Sequence, residues 1–215
     1  MTYDKRKPEL KKYCGPDWTF YMWPCSDVEL FEKTKNELIE YGNIPPTINR
    51  IGWYGNIYSP LPNVVEYKTR PLLKEIGDKR PDIFHIIHVE PTRNIKKNKN
   101  YISMKEMTKY KYLIDIGGNG YSGRLKYLMF MKRPILLVDR YYVEYFQDDL
   151  KPYVHYIPVK MDLSDLFIQV RWMINNQEEC KKIAINAFEY ANQHFTEDKL
   201  IQRVYEVYEN IKSEK

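Results

Sequence analysis

Few of the usual carriers of chemistry are abundant in this sequence. Its 215 residues hold three cysteines (Cys14, Cys25, Cys180) and four histidines, with no C-x-x-C pair and no metal-ligand spacing. Cys14 and Cys25 would pair only in an oxidising compartment. There is no H-E-x-x-H, no Walker A loop and no Ser-His-Asp or Cys-His arrangement. Any chemistry must then come from an activated substrate and a carboxylate or imidazole base. No apolar stretch is long enough to span a membrane, and MTYDKRKPELKK lacks the apolar core of a signal peptide. A soluble chain is expected, with a cytoplasmic location favoured. Net charge is only +5, enough to favour anionic ligands. The basic run RNIKKNKN (93–100) has no interleaved aromatics, so a nucleic-acid partner is not expected.

What is present is a globular composition, 43% apolar and 29% charged, with strands and helices alternating. Residues 1–26 read as an irregular aromatic entry. A helix follows over 28–42, with Asp27 as N-cap and Gly42 as its stop. INRIGWYGNIY reads as a strand, TRPLLKEIG as a short helix with Pro71 near its first turn, and DIFHIIHV as a buried strand. ISMKEMTKY suggests a helix capped by Ser103. Strand KYLIDI, a glycine loop, helix RLKYLMFM and strand ILLVD come next. YYVEYFQDDL reads as helical and VHYIPV as a strand. Helices over DLSDLFIQVRWMINN, EECKKIAINAFEYANQHF and EDKLIQRVYEVYENIK complete the chain. This order predicts an α/β fold with a parallel sheet covered on both faces.

In such a sheet, ligands bind beyond the carboxyl ends of the strands. The loop Gly118-Asn119-Gly120-Tyr121-Ser122-Gly123 is a formal G-x-G-x-x-G, and Asp139 ends the next strand where a dinucleotide fold places its ribose ligand. Two features oppose that NAD reading. Arg124 follows the third glycine, where small or apolar residues are usual, and the unit comes after at least two earlier strands. A guanidinium in the opening turn suits a phosphate instead. A second loop, Trp53-Tyr54-Gly55-Asn56, with Arg70 beyond it, offers aromatic and glycine positions facing a ligand. His85 and His88 lie three apart on one strand and so face opposite ways; they and His155 read as satisfied core residues.

Taken together, these stretches resemble glycosyltransferase family 90, the capsule-associated, lipopolysaccharide-modifying and protein O-glucosyl/O-xylosyltransferases. The resemblance is carried by Ser122-Gly123-Arg124-Leu125-Lys126 after a glycine-containing strand end. It continues through Leu150-Lys151-Pro152, His155-Tyr156-Ile157-Pro158 and Asp162-Leu163-Ser164-Asp165-Leu166. It also includes KKYCGPDWTFYMWP before the W-Y-G-N loop. The resemblance implies a Rossmann-like lobe of a GT-B glycosyltransferase holding a nucleotide sugar, usually a UDP sugar, with no further cofactor. It also implies inverting transfer to a hydroxyl of a glycan or protein without a bound metal, basic side chains facing the leaving diphosphate. By position, Gly118, Gly120, Tyr121, Ser122, Gly123, Arg124 and Arg70 are the expected contacts to the donor diphosphate and sugar. Trp53, Tyr54, Gly55 and Asn56 form a candidate donor-site loop, although Tyr54 stands where the family carries a basic residue. The expected organisation is an N-terminal segment over 1–46, a nucleotide-sugar-binding domain over 47–195 and a C-terminal helix over 196–215. The family's base is an Asp of an N-terminal lobe, upstream of CGPDWTFYMWP. A longer polypeptide or a partner chain supplies it, or a reduced enzyme uses another carboxylate, for which Asp17 and Asp27 are candidates by position alone. The alternatives are a non-catalytic nucleotide-sugar-binding module and an NAD-dependent oxidoreductase.

Overall fold

A computed structural model describes residues 2–58, 65–90, 96, 98–118 and 120–214, with backbone alone for 65–67. Asn119 of the glycine loop and residues 93–95 and 97 of the basic connection lie outside the described residues.

Five apolar runs form strands β2 (Ile48–Gly55), β3 (Phe84–His88), β4 (Tyr110–Asp115), β5 (Ile135–Val138) and β7 (Ile157–Val159). They pair in one parallel sheet of order β3-β2-β4-β5-β7. Every residue of β5 is buried, as a strand covered on both faces requires. Successive side chains enter different cores, Ile135 and Leu137 on one face, Leu136 and Val138 on the other. The first core is closed by α1 (Phe31–Gly42), α3 (Met104–Met107), α4 (Leu125–Phe130) and the latter half of α6 (Gln177–His194). The second is closed by α2 (Val65–Lys79), α5 (Leu166–Asn175) and the start of α6. The expected Rossmann-like α/β class is the one observed.

The topology locates a crevice. The connection from β2 leads outward to β3 at one edge, while the chain from β4 proceeds to β5 and β7 toward the other. The carboxyl ends of β2 and β4 therefore flank the point where the winding reverses, the place where open α/β sheets bind ligands.

Three local expectations need correction. YYVEYFQDDL is not helical. Tyr142–Glu144 forms β6, antiparallel to β1 (Thr2–Asp4) with Thr2 opposite Glu144, and Gln147–Asp149 is a 3-10 turn. A strand partner at the far end of the chain overrides the local pattern. Asp27 is not the cap of α1. It has left-handed φ (59°) at the end of a 3-10 turn, and its carboxylate accepts from the Tyr101 hydroxyl (2.9 Å) and pairs with Lys96 (2.7 Å). Helix α2 starts earlier than expected and carries Pro71 in its interior. Ser103 does cap α3, in a reciprocal capping box with Glu106.

The entry segment is irregular and well anchored. Arg203 of α7 (Glu197–Lys212) donates to the Cys14 carbonyl through Nε (2.9 Å) and Nη2 (2.8 Å). The three cysteines are free, Cys14 and Cys180 buried and Cys25 exposed. Among the described residues no helix is long and apolar enough to cross a membrane.

Candidate functional site

The crevice is furnished by two arginines that arrive from opposite faces of the sheet. Trp53 and Tyr54 are consecutive on β2, so their rings enter different cores. The rings support the two guanidiniums by cation-π contact, Trp53 lying within 6.0 Å of Arg124 as well as near Arg70. Arg70, from α2, lies over Trp53 with its guanidinium carbon 5.4 Å from the ring centre. Arg124, at the N-cap of α4, lies over Tyr54 at 4.2 Å. Backbone carbonyls at the strand ends complete the fixation. Arg70 donates from Nη1 to Asn56 O (2.8 Å) and from Nε to Gly117 O (2.7 Å), so it bridges the ends of β2 and β4. Arg124 donates from Nη1 to Tyr54 O (2.6 Å), and its buried Nε has no partner among the described residues. Two oriented guanidiniums at one crevice suit a group with several anionic oxygens.

The glycines leave room for this arrangement. A Cβ on Gly118 would stand 2.9 Å from Arg70 Nη2, and one on Gly55 would stand 3.0 Å from the Trp53 ring. Gly55 and Gly120 both have φ of 155°, a conformation that L side chains rarely adopt. The loop closes on itself through Gly118 N to Tyr121 O (3.3 Å). Ser122 is turned inward, its hydroxyl donating to Asp115 Oδ1 at 2.7 Å. The other oxygen of Asp115 holds Arg140 at 2.6 Å, in an ion pair 1% exposed on either side. Because α4 is only six residues long, its dipole is a lesser attraction for an anion than the guanidiniums.

Behind the loop lies a second ionic cluster. Lys126 is fully buried and contacts Glu144 Oε1 at 2.5 Å and Asp17 Oδ1 at 3.7 Å. Asp17 accepts hydrogen bonds from the Tyr121 hydroxyl and from both N (3.0 Å) and Oγ1 (2.6 Å) of Thr19. Burial pushes the Asp17 carboxyl upward, but Lys126, Thr19 and Tyr121 outweigh it and hold it below the usual range. Burial dominates at Glu144, which is pushed up to about 7. Its Oε2 has no partner among the described residues.

Of the residues singled out in the sequence, Trp53, Tyr54, Gly55, Asn56, Arg70, Gly118 and Arg124 meet at the crevice. Gly120, Tyr121, Ser122 and Gly123 form the adjoining loop. Asn56 serves through its carbonyl, while its side-chain oxygen accepts from Tyr58 N (3.0 Å). Asp139 is engaged elsewhere, with Lys5 and with Arg140 N (2.8 Å). His85 meets the Tyr110 hydroxyl at 2.7 Å, His88 accepts from Ile57 N at 3.3 Å and His155 from Lys151 N at 2.9 Å. Sequence reasoning gave no role to Asp115, Arg140 or Glu144, and met Lys126 only as the last residue of the Ser122–Lys126 motif. For Asp115 the available signal was an acid closing the apolar strand YLID.

A family model described as Glycosyl transferase family 90 matches residues 8–210, and the chain belongs to that family. Zebrafish (Danio rerio) protein O-glucosyltransferase 2 is 38% identical over 98 residues, which is 46% of this chain and 20% of that protein. Human protein O-glucosyltransferase 3 is 43% identical over 76 residues, 35% of this chain and 15% of that protein. The matched segments are thus a fifth or less of those relatives' lengths. Among solved structures, the crystal structure of TarM aligns with a TM-score of 0.53 at 13% identity, over 77% of this chain and 36% of the TarM chain. That likeness is one of fold.

Proposed function

We propose that this member of glycosyl transferase family 90 binds a UDP sugar at the β2–β4 crevice and transfers the sugar to a hydroxyl of a glycan or protein. The convergence of Arg70 and Arg124 on that crevice carries the reading. The donor diphosphate lies against the two guanidiniums and the glycine loop, Gly118 and Gly120 allowing close backbone approach. A base takes the proton of the acceptor hydroxyl, whose oxygen attacks the anomeric carbon. The bond from that carbon to the diphosphate oxygen breaks, and UDP leaves with its new charge facing the arginines. A single displacement of this kind inverts the anomeric centre. The guanidiniums fill the charge-neutralising role that a metal plays in other transferases. In this reading residues 47–195 are the donor-binding unit, with 1–46 and the helix of 196–215 packed around it. The names of the two curated relatives favour a protein hydroxyl as acceptor.

A second reading, donor binding without transfer, is favoured by one observation. Of the carboxylates bonded to the glycine loop and α4, Asp115 and Glu144 are buried and Asp17 is half-buried, and each is engaged by a cation. The acceptor base is then supplied by another lobe or chain, or not at all. Thermal-shift titration with UDP, GDP, UDP sugars and NAD(H) tests both readings. Stabilisation by UDP and UDP sugars, lost in Arg124→Ala, is expected. Stabilisation by NAD(H) alone would sink the donor-site reading, and UDP-sugar binding with neither hydrolysis nor transfer would select the second.

A further inference from the structure

The geometry points to Lys126 as a positioning residue that holds the glycine loop and Arg124 in register for the donor, without itself touching it. The inference rests on the UDP-sugar site proposed above. All six residues of α4 are buried, and Lys126 is 0% exposed. Taking an ammonium out of water at such a position is costly, and an apolar residue of similar volume commonly serves stability as well or better. A lysine here is therefore explained by what it holds.

Its contacts bracket Arg124 on both sides. Before Arg124, Lys126 Nζ donates to Gly123 O (3.3 Å), and through Asp17 it acts on the Tyr121 hydroxyl. After Arg124, Glu144 of β6 anchors the same ammonium at 2.5 Å, while the ring of Phe20 lies 4.5 Å from it. The cluster thereby joins three separate pieces of chain: the entry segment at Asp17 and Thr19, the donor loop at Tyr121 and Gly123, and β6 at Glu144. Ser122 is pinned independently by Asp115. A loop tied at consecutive residues presents the following guanidinium in one orientation, and that pre-organisation governs how well two arginines meet one diphosphate.

The test is a coupling measurement with UDP as the probe. Wild type, Lys126→Met/Glu144→Gln, Arg124→Ala and the triple variant are titrated, using ligand-observed NMR where affinity is millimolar, and melting is followed by circular dichroism. The paired substitution removes the cation together with the acid nearest to it, and leaves Asp17 held by Thr19 and Tyr121. It is expected to melt cooperatively and bind UDP roughly tenfold more weakly. Adding it to Arg124→Ala should cost little more, because both act through one guanidinium. A merely structural role predicts additive losses. Additive losses, or full affinity in the folded paired variant, would overturn the inference. If that variant does not fold, Asp17→Asn removes the charge that links Lys126 to Tyr121 while keeping an oxygen for the Thr19 bonds, and should still weaken UDP severalfold; unchanged affinity there overturns it too. A wild type that fails to bind UDP removes the donor-site reading and this inference with it, whereas failure of the inference alone leaves wild-type binding intact.

Discussion

Replacing Glu144 by glutamine should flatten the dependence of stability on pH between about 5 and 8. In the folded chain burial raises this carboxyl from the ordinary 4.5 to about 7, against the opposing pull of Lys126. The folded state therefore holds a proton that the unfolded state has released, and stability falls as pH rises through that interval. The contribution is fully present below pH 4.5 and lost above about 7. With 1.36 kcal/mol for each tenfold in proton affinity, the loss is about 3 kcal/mol. For a chain of this size it corresponds to about 6–12 °C in Tm. The proton belongs on Oε2, the oxygen without a partner, since Oε1 accepts from Lys126. Glutamine keeps that acceptor but buries an amide donor with no partner, a penalty of about 1–3 kcal/mol that does not change with pH. The slope is thus the readout, and the offset is not. Burial lowers His85 and His155, so these add stability with rising pH, but they are common to both proteins and cancel in the comparison. Urea unfolding at pH 5, 6, 7 and 8, followed by tryptophan fluorescence, measures the difference. Parallel curves for the two proteins would refute the reasoning.

Two further outcomes follow from the crevice. Gly118→Ala places a methyl 2.9 Å from Arg70 Nη2; the guanidinium must shift against its bonds to Asn56 O and Gly117 O, so Tm should fall by about 2–4 °C for each bond lost at about 1 kcal/mol, while calorimetry shows UDP affinity down by roughly tenfold. Tyr54→Phe removes a buried hydroxyl that has no partner among the described residues but keeps the ring under Arg124. Stability should hold or rise by up to about 1 kcal/mol in chemical denaturation, with UDP affinity retained.

The sheet was legible because its signal is local and repeated. Runs such as ILLV and YLI are apolar at every position, and only a strand covered on both faces needs that. Both arginines were legible as residues following strand-end loops. Their convergence was not, because Arg70 and Arg124 reach the crevice from opposite faces and only the strand order brings them together. β6 was read as helix because its pairing partner is β1, and no local periodicity encodes a contact across the whole chain. Lys126 and Glu144 escaped for the same reason. A lysine in RLKYLMFM looks like the polar face of a helix, and only packing reveals that α4 has no polar face.

Tyr54 shows how a departure from a family pattern changes meaning in three dimensions. In the sequence it replaces a basic residue and suggests a weakened donor loop. In the fold its side chain points away from the crevice into the first core, where burial raises its hydroxyl, and its ring face carries Arg124. The position still acts on the site, now as a support. The two cations at the crevice come instead from α2 and from the N-cap of α4, and each is oriented by a neighbouring aromatic of the same strand. In the proposed donor site, the charge that a diphosphate requires is thus decoupled from the residue at 54. The tests that bear on donor binding are consequently those that move a guanidinium: directly at Arg124, by crowding Arg70 at Gly118, or from behind the loop at Lys126.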